Sequence, residues 1–249
     1  MNPTRSTCPV PGKNSGWDFF DRIYCISLST RPDRQRQAKA QFDAVGLTGR
    51  VRFFLATPHP RNSEQGIYES HLACLTQALD EGADTILIFE DDVVFEGFSQ
   101  NRLREWITFL AASQWQAFFL GCLMRRAEKT ETPSVIAIHY QSLAHAYAVN
   151  RCLALEIVKK PWQGTPYDGM LMRFAVTGFF AANPGVAFQG DAASDNTRLK
   201  QLDRIRRHCG GLARIQKANQ WICLHTRLLL ALHLGIPAAL MIVLLFLYW

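Results

Sequence analysis

The sequence lacks several patterns that define common protein classes. Its seven cysteines are scattered and odd in number, form no CxxC pair and have no zinc-finger spacing with histidine, so a zinc-finger domain is excluded. The first twenty residues contain no apolar run of signal-peptide length, and we expect them to form a flexible lead. Charged residues make up only 19% of the 249 residues and hydrophobic ones 48%, which is typical of a globular protein with a buried core.

Acidic residues are nearly missing from one segment. Residues 198–227 hold eight Lys or Arg against one acid, Asp203, so the rest of the chain holds 19 basic and 20 acidic residues. That segment therefore carries a net charge of +7 and the rest of the chain −1, which gives the overall +6. This distribution argues against a uniformly basic nucleic-acid-binding protein.

Charge is missing altogether from residues 228–249, which as a helix would span about 33 Å at about 1.5 Å per residue. We expect a transmembrane helix here; the alternative is a buried core helix. Residues 198–227 would then be a basic juxtamembrane segment. The positive-inside rule places the preceding domain in the cytoplasm, and we expect a bacterial inner membrane.

Apolar runs of strand length alternate with helical patterns in the first half of the chain. This order predicts an α/β fold with a mostly parallel, Rossmann-like sheet flanked by helices. Farther on, residues 134–139 and 144–149 are predicted to be paired strands. Residues 179–187 are expected to be irregular around an Asn-Pro-Gly turn.

Three consecutive acids, Glu90, Asp91 and Asp92, follow the apolar run TILIF and precede VVF. Like charges this close repel by about 4 kcal/mol at an effective dielectric near 20, so a fold that gathers them needs a counter-cation. Oxygen-only ligands suit Mg²⁺ or Mn²⁺, especially when phosphates complete the shell. The alternative is a solvated acidic turn without a role.

Four further residues are weaker candidates. Arg31 and Arg34 begin a helix directly after the first strand, where a helix N-terminus and guanidinium groups can bind a diphosphate; the alternative is an exposed basic face. His71 lies on the second helix, where a lone histidine is more often structural. Asp168, isolated before a short helix, could be a general base or an N-terminal cap.

The order of these features resembles glycosyltransferase family 25, which includes bacterial lipooligosaccharide sugar transferases and, more distantly, collagen galactosyltransferase domains. The motifs that carry the resemblance are IYCISLSTRPDR, GIYESHLACLTQAL, ILIFEDDVV, TPYDGML and FFAANPGVAFQGDAASDN. They cover residues 22–197, so we expect a GT-A-like domain over residues 21–197. The resemblance implies an inverting hexosyltransferase that uses a divalent cation.

The resemblance also implies a role for each site residue. Asp91 and Asp92 would hold the metal, while Arg31, Arg34, His71 and Glu90 would bind the donor. Asp168 and Asp195 match positions where a catalytic acid is expected, and Asp168 is preferred as the base. The expected partners are a nucleotide-sugar donor such as a UDP-sugar and a glycan or lipid-linked acceptor, in lipopolysaccharide biosynthesis. The alternatives are another metal-dependent phosphate enzyme, such as a nucleotidyltransferase, and a catalytically silent membrane-bound scaffold.

Overall fold

The computed structural model describes residues 16–174, 177–190 and 211–226. Its first half alternates strands and helices as the apolar pattern predicts, and Ser99 caps the third helix as expected by accepting a hydrogen bond from the Arg102 backbone N–H. The helices are α1 (Pro32–Ala44), α2 (Ser63–Asp80), α3 (Gln100–Ala112), α4 (Arg151–Val158), α5 (Tyr167–Leu171) and α6 (Leu212–Leu224), with a 3₁₀ turn at Trp17–Phe19. The strands are β1 (Arg22–Leu28), β2 (Arg52–Ala56), β3 (Thr85–Glu90), β4 (Val93–Phe95), β5 (Ala117–Phe119), β6 (Leu123–Lys129), β7 (Val135–Ser142), β8 (Ala146–Asn150), β9 (Phe179–Ala182) and β10 (Ala187–Gln189).

The main sheet is mixed, so the prediction of a mostly parallel sheet was wrong. The strand order is β2-β1-β3-β8-β5-β9-β7-β6. Strand β1 is parallel to β2 and β3, and β5 is parallel to β9, but β8 runs antiparallel to both β3 and β5. The helices α1 and α2 supply the long crossovers that parallel pairing needs. From β5 to β8 the strands follow one another through short links, and β6 and β7 form an antiparallel pair.

Side chains of β3 alternate between two cores on opposite faces of the sheet. Ile86 and Ile88 pack in the core that contains α2, α4 and α5. Leu87 and Phe89 pack in the core that contains α1 and α3. The run is apolar throughout because both faces of this central strand are covered by helices. The same alternation decides where the acids after β3 point.

Three sequence predictions need correction. The strands β7 and β8 do not pair with each other: β7 pairs with β6 and β9, and β8 lies between β3 and β5. Strands β9 and β10 were missed in the segment 179–187, which was expected to be irregular, but they flank the predicted Asn-Pro-Gly turn. The lead is ordered from residue 16, because Trp17 and Phe19 are buried in the core and the Trp17 indole N–H donates to the Val45 carbonyl. Pairing partners and long-range burial are not visible in local periodicity.

The helix α6 packs on the folded domain, although it falls inside the segment predicted to be a juxtamembrane connector. Its amide side chains reach the sheets: Gln216 donates to the Ala187 carbonyl at 2.8 Å and Gln220 donates to the Ala182 carbonyl at 2.9 Å. Asn219 bonds both backbone groups of Met124 on β6, which is an edge strand. The helix α6 therefore packs against the domain predicted over residues 21–197.

A glycine is required where α6 meets the sheets. A Cβ atom on Gly121 would lie 2.0 Å from the Ala187 carbonyl oxygen and 2.2 Å from Gln216 Nε2. We expect Gly121→Ala to cost about 1–3 kcal/mol of unfolding free energy and to loosen α6, because the added methyl group overpacks the contact. Hydrogen exchange of residues 212–224 and the melting temperature measure both effects.

Gly185→Ala is the matched control for this substitution. Its Cβ would lie in the same region, but no closer than 3.4 Å to its nearest neighbour, the Gln220 Oε1 atom. An equal loss of protection in α6 for both variants would contradict the argument.

No helix among residues 16–174, 177–190 and 211–226 is long and apolar enough to cross a membrane. The predicted span at 228–249 lies outside these residues, as do most of the lead and residues 191–210. The span therefore stays a prediction.

Candidate functional site

The three acids diverge at the end of β3. Glu90 continues the alternation of Ile86 and Ile88 and turns towards α2. Asp91 turns to the opposite face and meets α1. Asp92 follows in the turn that leads into β4, and β4 pairs with β10. One strand thus delivers carboxylates to both sides of the sheet edge, where ligands bind in open α/β sheets.

Asp91 is buried and fully engaged by the protein. Its Oδ2 atom accepts a hydrogen bond of 2.6 Å from the Ser27 hydroxyl at the end of β1. Its Oδ1 atom lies 3.3 Å from Arg34 Nη1 on α1, and both side chains are about 10% exposed or less. The ion pair of Asp91 and Arg34 joins the first turn of α1 to the end of β3. Asp91 therefore holds these two elements together.

Asp92 has an open oxygen, by which we mean a carboxylate oxygen with no hydrogen-bond partner among the described residues. Its Oδ1 atom is buried and has no hydrogen-bond partner among the described residues. Burial, together with the nearby charges of Glu90 and Asp91, raises the pKa of Asp92 to about 8. The backbone around it is held firmly, since the Gly190 N–H donates to the Asp92 carbonyl at 2.7 Å. An oxygen of this kind fits a cation, which would relieve the repulsion among the acids.

Glu90 is partly exposed and held only loosely. Its Oε1 atom lies 3.4 Å from His71 Nε2, and Gln189 Nε2 lies 3.5 Å from its Oε2 atom. Burial is the main cause that raises the pKa of Glu90 to about 8, and the charges of Asp168 and Asp91 add to it. Glu90 is therefore the acid of the triplet most able to reach a ligand.

His71 is fully buried between Glu90 and two tyrosines. Its Nδ1 atom lies 3.1 Å from the Tyr147 hydroxyl, which lies 2.7 Å from the Tyr167 hydroxyl. The His71 ring also stacks on the Tyr167 ring, with centroids 4.1 Å apart. Burial lowers the pKa of His71 to about 4, so the ring is neutral at physiological pH.

Asp168 holds the turn between β7 and β8. Its Oδ1 atom accepts from the Tyr140 hydroxyl at 2.6 Å and from the Ala144 N–H at 3.0 Å, and its Oδ2 atom accepts from the Leu143 N–H at 2.9 Å. Leu143 has a φ of 73°, which a leucine rarely adopts without support. Two successive N–H groups thus cradle the carboxylate as a backbone anion nest. This arrangement favours a structural role for Asp168 that the sequence did not reveal.

The remaining predicted residues are placed unevenly. Arg31 precedes α1 and makes two hydrogen bonds to Asp33 at the helix start, while Arg34 is committed to Asp91. Asp195 lies outside the described residues. Sequence reasoning missed Tyr147 and Tyr167, although Tyr167 belongs to the quoted motif TPYDGML. Their buried hydroxyls are visible only in three dimensions.

The described residues contain no group of three or more His, Cys, Asp or Glu side chains arranged to hold a metal ion. The divergence of Glu90 and Asp91 to opposite faces explains this result. Mg²⁺ is commonly bound by one or two carboxylates plus substrate phosphates and water. Asp92 with its open oxygen fits such a site, whereas a cage built by all three acids does not fit.

No family-level profile matches the chain, but two curated proteins are similar to it. The human protein named "Inactive glycosyltransferase 25 family member 3" is 26% identical over 170 residues, which is 56% of this chain and 29% of that protein. The Bos taurus protein named "Probable inactive glycosyltransferase 25 family member 3" is 23% identical over 171 residues, with the same coverage. The predicted resemblance to family 25 is confirmed. The match spans less than a third of these relatives.

Solved structures with similar folds are more distant. A glycosyltransferase "involved in the glycosylation of the major capsid of PBCV-1" is 13% identical, with a TM-score of 0.43 over 64% of this chain and 80% of that one. A UDP-glucose pyrophosphorylase in complex with UDP-glucose is 11% identical, with a TM-score of 0.38 over 64% and 72%. At these scores the structures carry no argument about the site.

Proposed function

We propose that this chain is a glycosyltransferase that takes a sugar from a nucleotide-sugar donor, with the donor diphosphate at the ends of β1 and β3. The observation that carries the proposal is the open, buried oxygen of Asp92 at this edge of the sheet, in a chain similar to family 25 proteins. A buried carboxylate oxygen that has no hydrogen-bond partner among the described residues, on a side chain with a raised pKa, is costly, and such a cost is typical of a functional site.

The proposed donor site uses the first helix turn as well as the acids. The N-terminus of α1 follows β1 directly, so the positive end of its helix dipole favours a negatively charged diphosphate. Arg31 adds positive charge at the same place, and Arg34 keeps Asp91 neutralised. The divalent cation, Mn²⁺ or Mg²⁺, would be held by Asp92 and the diphosphate, and would stabilise the charge on the leaving group.

Inversion needs a base for the acceptor hydroxyl, and Asp168 and Asp195 remain the candidates. Asp168 uses three of the roughly four acceptor positions of a carboxylate, so one position stays available. A lipid-linked glycan would suit a chain that residues 228–249 hold at a bacterial inner membrane, with the domain in the cytoplasm.

A donor screen tests the proposal. Melting temperatures of the full chain are measured with UDP-galactose, UDP-glucose, UDP-N-acetylglucosamine and GDP-mannose, each with and without Mn²⁺. We expect one donor to raise the melting temperature only with Mn²⁺, because a ligand at about 100 times its Kd adds about 2.7 kcal/mol to the free energy of unfolding. Transfer to detergent-solubilised lipid glycans, followed by the release of the nucleoside diphosphate, then identifies the reaction.

Two other results would replace the proposal. Release of pyrophosphate from a nucleoside triphosphate and a sugar phosphate, without sugar transfer, would indicate a nucleotidyltransferase. The absence of any Mn²⁺-dependent shift or transfer would indicate a silent scaffold, in keeping with the name of the matched human protein.

A further inference from the structure

A network of four polar side chains, here called the polar network, leads from the protein interior to Glu90. It consists of Tyr167, Tyr147, His71 and Glu90, which lie on α5, β8, α2 and β3. Each contact joins two different elements, and the distances are 2.7 Å, 3.1 Å and 3.4 Å in this order. All members except Glu90 are almost fully buried. The polar network therefore links four elements to one carboxylate at the carboxyl end of β3.

The direction of the hydrogen bonds follows from what each atom can do. A neutral histidine has one N–H donor and one acceptor nitrogen. Among the described residues, His71 Nε2 has no partner that meets hydrogen-bond geometry, and the Glu90 carboxylate 3.4 Å away is the acceptor it faces. In the described part of the chain the Tyr167 hydroxyl has the Tyr147 hydroxyl as its hydrogen-bond partner, so the buried Tyr167 O–H donates to it and the Tyr147 O–H is left to donate to His71 Nδ1. The proton therefore belongs on Nε2, and Nδ1 must accept from Tyr147.

The two tyrosines then have only one consistent arrangement. If the Tyr147 hydroxyl donates to His71 Nδ1, its own oxygen accepts from the Tyr167 hydroxyl. The stacking of the His71 ring on the Tyr167 ring keeps the imidazole in one plane. In this arrangement every hydroxyl and N–H of the polar network donates in the direction of Glu90. This order is a positioning device, because it gives the carboxylate one oxygen tied to the protein and one oxygen for a ligand.

We propose that Tyr167 and Tyr147 fix the Nε2–H tautomer of His71, and that His71 thereby orients Glu90 to accept hydrogen bonds from the hydroxyl groups of the donor sugar. The proposal rests on the proposed function for the identity of the ligand, but not for the tautomer. Apo contacts of this kind are often long and tighten when substrate binds, which fits the 3.4 Å contact between His71 and Glu90.

Tyr147→Phe tests the polar network without changing Glu90 or any group that would contact the donor. We expect His71 to lose its preference for Nε2–H, because Nδ1 no longer accepts a hydrogen bond from the Tyr147 hydroxyl. Tyr68→Phe is the matched control. Tyr68 is a buried tyrosine whose ring packs edge-on against Tyr167. Its hydroxyl donates to the Lys160 carbonyl, which is not part of the polar network.

The first measurement is the tautomer of His71 by ¹⁵N NMR in the ligand-free full chain, with the signal identified by its contacts to the Tyr167 ring. We expect an Nε2–H signal in the wild type and in Tyr68→Phe, and a shift towards Nδ1–H or a mixture in Tyr147→Phe. An Nδ1–H tautomer in the wild type would overturn the proposal, and so would an unchanged tautomer in Tyr147→Phe. This result does not depend on sugar transfer.

The second measurement compares the Kd of the donor found in the screen with the Kd of its nucleoside diphosphate, both with Mn²⁺. We expect Tyr147→Phe to weaken the nucleotide-sugar about 10-fold, as for other residues that orient a ligand-binding group, and to leave the nucleoside diphosphate within about 2-fold. Equal weakening of both would mean a general structural defect and would overturn the sugar role. If no donor binds the wild type, the proposed function fails and the tautomer alone decides the positioning role.

Discussion

Asp92→Asn should abolish sugar transfer and leave the protein at least as stable as the wild type. Asp92 Oδ1 has no partner to lose, and neutralising the side chain removes its repulsion with Glu90 and Asp91. Without the carboxylate the cation would lose its protein ligand. We expect a loss in turnover of about 100-fold or more, which corresponds to about 3 kcal/mol of transition-state stabilisation. The Mn²⁺-dependent part of the donor thermal shift should disappear as well.

Asp91→Asn should have the opposite profile, although the two residues are adjacent. The substitution breaks the buried ion pair between Asp91 and Arg34. A loss of about 3 kcal/mol in the free energy of unfolding is expected, since removing one partner of a buried pair is costly. Asp80→Asn, at an exposed position of α2, controls for the loss of one negative charge. Transfer retained by Asp92→Asn would refute the metal role, and a destabilised Asp92→Asn would refute the open oxygen.

Asp168→Asn should destabilise the protein by about 2–3 kcal/mol. In either orientation, the amide NH₂ group faces a backbone N–H of Leu143 or Ala144, so a buried donor loses its acceptor, at a cost of about 1–3 kcal/mol. The positive φ of Leu143 also loses its support. A chain of this length should lose roughly 5–10 °C in melting temperature.

Tyr140→Phe is the control for Asp168→Asn. It removes one of the three hydrogen bonds to the carboxylate without placing a donor against the backbone, so we expect a loss of only about 1 kcal/mol. The two variants also test the base assignment. If Asp168→Asn keeps its melting temperature but loses turnover, the catalytic role is favoured over the structural one.

The sequence predicted the strand-helix alternation around β1, β2 and β3 well because these elements are long and strongly patterned. It also placed Glu90, Asp91 and Asp92 directly after a buried strand and Arg34 early in a helix after another strand. Those placements depend on local order alone. The pairing of Asp91 with Arg34 and Ser27 could not be predicted, because it depends on the register of β1 against β3.

The roles within the acidic triplet were hidden for the same reason. Three consecutive acids read as one cluster along the chain. A strand alternates its side chains between two faces, so the side chains of Glu90 and Asp91 point to opposite faces of the sheet at the carboxyl end of β3. The later segments were predicted less well, because β8 inserts between β3 and β5 through contacts that no local pattern encodes.

By itself, the sequence determined the alternation of elements, the position of the acids at a strand end and the likeness to family 25. These depend on residue order and on hydrophobic periods, which are local. The tertiary structure alone decided which acid has an open oxygen, that His71 contacts Glu90 and two tyrosines, and that α6 packs on the folded domain. Each of these depends on hydrogen bonds between residues far apart in the chain, which form only once the sheet and its helices have packed.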